Sequence, residues 1–271
     1  MPVEKFVEGI EPQDPAAPIW RFVELWKLDD LVRTGELYFR RADKLNDEHE
    51  GLPPAAYEQV LGLNPYDIND IRERNNDIGA IAQFRQAFYV NCWYLFDDET
   101  ARMWAGYGKD GVAIVSRYDR LKNVLEPLAD KPHLGLVRYG LTHIKRWNTV
   151  VFATTKREEF RHEREVRALL WLTNSGDGVN RHIDIDNRIH DRPIYDPPET
   201  LPEGIRRPID VATLIGGVVV SPMAPKSRLT EVERLLTSAG LSVPVQISAL
   251  TRYASFIPSE DELRRFLSRR A

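Results

Sequence analysis

Lys156, Glu163, Glu165 and Arg167 fall within one short stretch whose front half is dense in charge and whose back half, Val166 to Trp171, is apolar apart from Arg167. Residues two apart on an extended chain point to the same side. A strand beginning near His162 would therefore line Glu163, Glu165 and Arg167 along one face. Two carboxylates held side by side repel, which raises the pKa of at least one and makes an acid/base or cation-stabilising pair. The same residues also suit a structural junction held by ion pairs with Arg161, Arg164 and Arg167, and both readings stand. Arg167 lies in the apolar half, so it needs a carboxylate, water or an anionic ligand.

Other residues offer binding chemistry. Arg21, between Trp20 and Phe22, is either an exposed strand-face residue or an anion-binding arginine. Trp93, Trp104 and Tyr107 can stack on a nucleobase or nicotinamide ring, or can be core. Asn46, Asp47, Glu48 and Glu50 follow a strand-like segment but lack the alternating oxygen ligands of a calcium loop, so a structural turn is expected. Of these, Asn46, Asp47 and Glu50 are candidate loop contacts to a ligand. The six histidines contain no His-x-x-x-His pair and there is a single cysteine, Cys92, so no metal is expected. Cys92 reads as an inert thiol within an apolar strand. Neither a phosphate-binding Gly-x-x-x-x-Gly-Lys-Ser/Thr loop nor a Gly-x-Ser-x-Gly elbow is present.

These residues need a scaffold. The spacing predicts strands at 19–23, 37–41, 88–95, 111–116, 134–139, 162–172, 214–221 and 243–248. Helices are predicted over 28–34, 55–87, 148–160, 227–239 and 260–270, and another after Asp97 and Asp98. Strands and helices mix without a strict βαβ rhythm, which predicts an α+β fold: a mixed, mainly antiparallel sheet flanked by helices in one domain over 19–271. Residues 1–18 read as an irregular N-terminal arm, and 174–207 as a long loop or flap in which only Arg181 to Ile185 alternates like a strand. A net charge of −4 across 271 residues, with a pI near 5.9, argues against nonspecific nucleic-acid binding. No run approaches 18 apolar residues, so no membrane association is expected. Single-cysteine usage suits a reducing cytoplasm.

Three blocks together resemble a bacterial family, domain of unknown function 2971. They are Leu37 to Glu50, Met103 to Ile114, and Lys156 with Phe160 to Arg167. The family pattern is a strand followed by Phe-Asn-Asp and an acid, then a Met-Trp-x-x-Tyr helix with a glycine-led strand, then Lys with Trp-x-x-Glu-x-Glu-x-Arg. This chain departs from it at Leu45, where the family tends to have Phe, and at Phe160, where Trp is common. A looser likeness is to ADP-ribosyltransferase-like folds, through the order Arg21, Asn91-Cys92-Trp93, Glu163-x-Glu165; the chain has no Ser-Thr-Ser segment ahead of the Glu. That likeness implies an enzyme using NAD as substrate, a toxin or phage-defence effector with a protein or nucleic-acid acceptor. Arg21 would hold the dinucleotide, with Trp93, Trp104, Tyr107, Lys156 and Arg167 around it. Glu165 would stabilise the ribosyl cation, and Glu163 would orient the acceptor. The alternatives are a non-catalytic module binding or sensing a nucleotide or other anion, and a metal-dependent nuclease built on Asp47, Glu48, Glu163 and Glu165.

Overall fold

A computed structural model describes residues 11–45, 47, 51, 85–140, 149–172, 179–183, 189–193 and 201–251. The first strand, β1 (Pro18–Val23), leads into α1 (Leu25–Thr34). That helix stops where Gly35 adopts φ 68° and donates its N–H to the Leu31 carbonyl, a left-handed cap that glycine enters without a Cβ penalty. β2 (Glu36–Arg41) leaves from this cap, and the aromatic-rich run after it forms β3 (Phe88–Leu95). In α2, Ala101–Met103 continues into a π-helical turn, Trp104–Gly108. Its cap is Thr100, whose hydroxyl accepts from the Met103 N–H, rather than Asp97 or Asp98.

β4 (Val112–Arg117), α3 (Tyr118–Leu125), β5 (His133–Leu136) and β6 (Arg138–Tyr139) follow. The helix expected over 148–160 ends early. α4 (Thr149–Ala153) gives way to β7 (Thr155–Lys156), and a 3₁₀ turn, Glu158–Glu163, precedes β8 (Glu165–Trp171). Part of the segment expected as a loop over 174–207 is ordered as strands. β9 (Val179–Ile183) pairs antiparallel with β10 (Ile189–Pro193), and β11 (Gly204–Pro208) joins the main sheet beside β2. α5 (Val211–Leu214), β12 (Gly217–Val220), α6 (Arg228–Ser238) and β13 (Val245–Ile247) complete the described chain. The helix expected at 260–270, residues 55–84 of the one expected at 55–87, and residues 1–10 of the expected arm lie outside the described residues.

The main sheet has nine strands in the order β11-β2-β3-β1-β4-β12-β13, with β8 added to β3 and β5 to β8. Every pairing within it is antiparallel except β12 with β13, while β6 and β7 pair in parallel as a separate two-stranded sheet. The fold is thus a mixture of helices with an open, mainly antiparallel sheet. One edge of β3 is covered by β8 from Phe88 to Tyr94. The other edge is shared: β2 pairs at Tyr89 and Val90, and β1 pairs at Tyr94 and Leu95. Residues 91–93 lie in the fork between them. There the Asn91 side chain donates to the Tyr38 carbonyl at 2.8 Å and accepts from the Trp93 indole at 2.6 Å, replacing ladder bonds that the fork removes.

Strand alternation sorts the side chains onto two faces. One carries Ile19, Trp93, Ile114, Val166 and Val218, packed into the principal core with Leu28 of α1, Leu121 of α3, Leu214 of α5 and Leu236 of α6. Each such buried aliphatic or aromatic side chain contributes about 1.5–3 kcal/mol. The other face holds two smaller clusters. Trp20, Phe22, Tyr94 and Trp104 form one, and Phe88, Val90, Val150 and Leu169 the other. Between these clusters the same face presents Cys92, Glu165 and Arg167.

Candidate functional site

The pairing of β3 with β8 sets Cys92 opposite Arg167 and Tyr94 opposite Glu165. Directly opposed residues share a face, so two charges are placed at the floor of a depression between hydrophobic clusters. The cavity there has a volume of about 750 Å³. Its floor includes Cys92, Tyr94, Glu165 and Arg167, and its walls include Tyr107, Lys156, Phe160 and Arg157, with Lys27, Arg40 and Asp47 also lining it.

Glu163 and Glu165 are not successive residues of one strand face. Arg164 between them adopts φ 45°, closing the 3₁₀ turn, and β8 begins only at Glu165. The two carboxylates converge from different elements on Lys156. Its Nζ lies 2.8 Å from Glu163 Oε2 and 2.7 Å from Glu165 Oε2. The first contact is an aligned hydrogen bond, while the second is a close ion contact without that alignment. Glu165 Oε1 accepts from Arg167 Nε at 2.7 Å, and Arg167 Nη1 donates to the Ala153 carbonyl at 2.5 Å. Glu163 Oε1 accepts from the Tyr107 hydroxyl at 2.5 Å. The Tyr139 hydroxyl accepts from the Glu165 N–H at 2.8 Å, fixing the start of β8. Glu163, Glu165 and Arg167 are each only 1% exposed.

This arrangement reverses the titration expected for paired carboxylates. Burial pushes the Glu165 carboxyl up, but the adjacent Arg167 and Lys156 charges and the Arg167 hydrogen bond outweigh it, leaving the pKa at about 2. Lys156 between the carboxylates supplies the compensation that simple repulsion ignores. Burial, and then the hydrogen bond to Glu163, raise the Tyr107 hydroxyl, keeping it a neutral donor. Burial and the Glu165 charge raise the Cys92 thiol. Cys92 is therefore a protonated group in the pocket floor, held as a donor toward Glu165.

Of the candidates read from the sequence, Tyr107, Lys156, Glu165, Arg167 and Asp47 line this pocket, and Glu163 lies directly behind it. Asp47 is 3.3 Å from Arg157. Trp93 and Trp104 are core residues, 0% and 1% exposed. Trp93 faces the helix-covered side, and Trp104 packs edge-on against Phe22 with centroids 4.8 Å apart. Arg21 is not among the residues that line the pocket. It pairs with Ile114 in β4 and lies 5.9 Å from the Trp93 ring centroid, so alternation puts it on the opposite face from Glu165. Burial lowers its pKa, and among the described residues no carboxylate pairs with it. Asn46 and Glu50 lie outside the described residues.

The sequence did not single out Lys27, Arg40 or Arg157, and marked Phe160 only as a departure from the family pattern. Arg40 was recoverable: Leu37 and Phe39 are core residues of β2, so Arg40 must face the other side, where Val90 of β3 opposes it. Phe160 lies beneath two cations, with Lys156 Nζ 5.4 Å and the Arg157 guanidinium 5.2 Å from its centroid. Among the described residues, no group of three or more His, Cys, Asp or Glu side chains is placed to hold a metal ion, and no helix is long and apolar enough to cross a membrane. No family model, curated protein or solved structure matches the chain.

Proposed function

We propose that the protein binds an anionic small molecule of the nucleotide class in this pocket. The observation that carries the reading is the lining itself: five basic side chains (Lys27, Arg40, Lys156, Arg157, Arg167) against three acidic ones, interleaved with Tyr94, Tyr107 and Phe160, in a chain of net charge −4. Flat aromatic surface beside guanidinium groups suits a base or similar ring attached to a phosphate. The volume is within the ordinary range of small-molecule pockets. On this reading Glu163 and Glu165 act by holding Lys156 and Arg167 in place.

A second reading, glycosyl transfer from NAD, is favoured by one feature: Glu165 is an ionised carboxylate in the pocket floor, with Glu163 nearby. A transferase would use Glu165 against the positive charge that develops at the ribosyl carbon. Two features weigh against it. The charge of Glu165 is already matched by Lys156 and Arg167, and Arg21 lies across the sheet from it. The proposed likeness to the bacterial family of domain of unknown function 2971 is compatible with either reading, because its blocks supply Tyr107, Lys156, Glu165 and Arg167.

Calorimetric titration with a panel of nucleotides and NAD, each followed by chromatography of the ligand, separates the readings. Binding with the ligand recovered intact supports the binding module. Release of nicotinamide that is lost in Glu165→Gln, with that variant still folded by circular dichroism, supports the transferase. No binding by any member of the panel refutes both.

A further inference from the structure

The charges in the pocket are unevenly compensated, and this bears on which end of a ligand goes where. At the floor, Lys156 and Arg167 are matched by Glu163 and Glu165 at 2.7–2.8 Å. At the mouth, Lys27 is 2.6 Å from Glu24, and Arg157 is 3.3 Å from Asp47 and 3.1 Å from Glu159. Arg40 differs from all of these. Its Nε donates to the Lys44 carbonyl at 2.6 Å, and among the described residues its terminal nitrogens meet no carboxylate. It is exposed, lines the cavity and stands on the same sheet face as Cys92 and Arg167.

A phosphate placed at the floor would lie against two buried carboxylates with no surplus positive charge to offset them. Desolvation of that phosphate would go uncompensated. A neutral group meets a different environment there, since the Tyr94 and Tyr107 hydroxyl oxygens can accept from it beside an ion network whose net charge is near zero. At the mouth, the guanidinium of Arg40 has donors to spare and water around it, which is the setting in which arginine binds phosphate in a two-pronged manner.

We propose that Arg40 is the residue that recognises the anionic end of the ligand at the mouth, and that the uncharged ring end enters toward Glu165 and Arg167. This rests on the nucleotide-binding reading above and assigns its orientation. The ligand class is a nucleoside phosphate or a similar ring with a pendant phosphate, selected over the bare nucleoside by Arg40.

The test compares ADP with adenosine by calorimetry, using the wild-type chain, Arg40→Met and, as a control for surface charge, Arg33→Met. The expected result is tighter binding of ADP than of adenosine by the wild type. Arg40→Met should weaken ADP about tenfold, as the loss of one charge-assisted contact does, and leave adenosine unchanged. The salt dependence of ADP binding should fall in the same variant, because an exposed contact is screened. Arg33→Met should change neither ligand. If the wild type prefers ADP but Arg40→Met retains that preference within twofold, or if ADP and adenosine weaken equally, the orientation is wrong while the pocket reading survives. If the wild type binds neither compound, the pocket reading for this class fails and takes the orientation with it.

Discussion

Replacing Glu165 by Gln keeps the side-chain volume and removes one buried negative charge. Arg167, 1% exposed, then loses the partner at 2.7 Å and keeps its hydrogen bond to the Ala153 carbonyl. Lys156 retains Glu163 but loses its second carboxylate. Breaking a buried pair by removing one partner costs roughly 3–5 kcal/mol, because the other charge stays desolvated. Independently, a carboxyl moved from 4.5 to about 2 represents on the order of 3 kcal/mol of favourable interaction with its surroundings, at 1.36 kcal/mol per unit. Urea unfolding followed by tryptophan fluorescence should therefore show Glu165→Gln destabilised by about 3–5 kcal/mol with an unchanged slope. The double variant Glu165→Gln with Arg167→Met should recover part of the loss, because it removes the stranded cation as well. A single-variant cost below about 1 kcal/mol would refute the argument. So would a double variant whose cost equals the sum of the two single ones.

Four further outcomes follow from the same geometry. Because the folded pKa of Glu165 lies below its ordinary 4.5, its contribution is fully present above that value; it should be lost as pH falls from about 4.5 to 2, seen as a falling urea midpoint that Glu165→Gln does not share. Tyr107→Phe removes the donor to the buried Glu163 carboxylate and should cost about 1.5–3 kcal/mol in the same assay. Arg21→Met should change stability by no more than about 1 kcal/mol, or raise it, because the guanidinium is desolvated without a carboxylate, and it should leave ligand affinity in the pocket unaltered. Cys92 should react with iodoacetamide at pH 7.5 at least about tenfold more slowly in the native protein than in urea, since burial beside Glu165 suppresses the thiolate; equal rates would refute that placement.

Local pattern was enough to find most of the scaffold. Phe88–Leu95 emerged with its observed ends, and the glycine stop of α1 was readable because Gly35 sits where a left-handed residue is required. The chemical centre was legible as a set of residue types: Glu163, Lys156, Glu165 and Arg167 are joined in one chain of contacts. Their arrangement was not legible. Reading the strand as continuous from His162 missed the left-handed Arg164, an unusual conformation for arginine that nothing in the local pattern signals. The titration of Glu165 depended on Lys156 arriving from a separate strand, which is a tertiary fact. Arg21 shows the converse limit. Its place on the first strand was right, but whether it faced the pocket or the helices depended on pairing register, and a shift of one residue exchanges the two faces.

The fork at β3 divides the molecule in a way the continuous sheet conceals. β1, β4, β12 and β13 are joined to β2, β3, β8, β5 and β11 through two adjacent register pairs, Ile19 with Leu95 and Trp20 with Tyr94. Among the described residues, the strand ladders elsewhere stay within one group or the other. Cooperative opening tends to follow such seams, but the principal core packs across this one, with Ile19, Ile114 and Val218 on one side and Trp93, Leu134 and Val166 on the other. The aromatic cluster of Trp20, Phe22, Tyr94 and Trp104 spans the seam, so side-chain packing, more than the ladder, couples the two groups and sets how independently each can open.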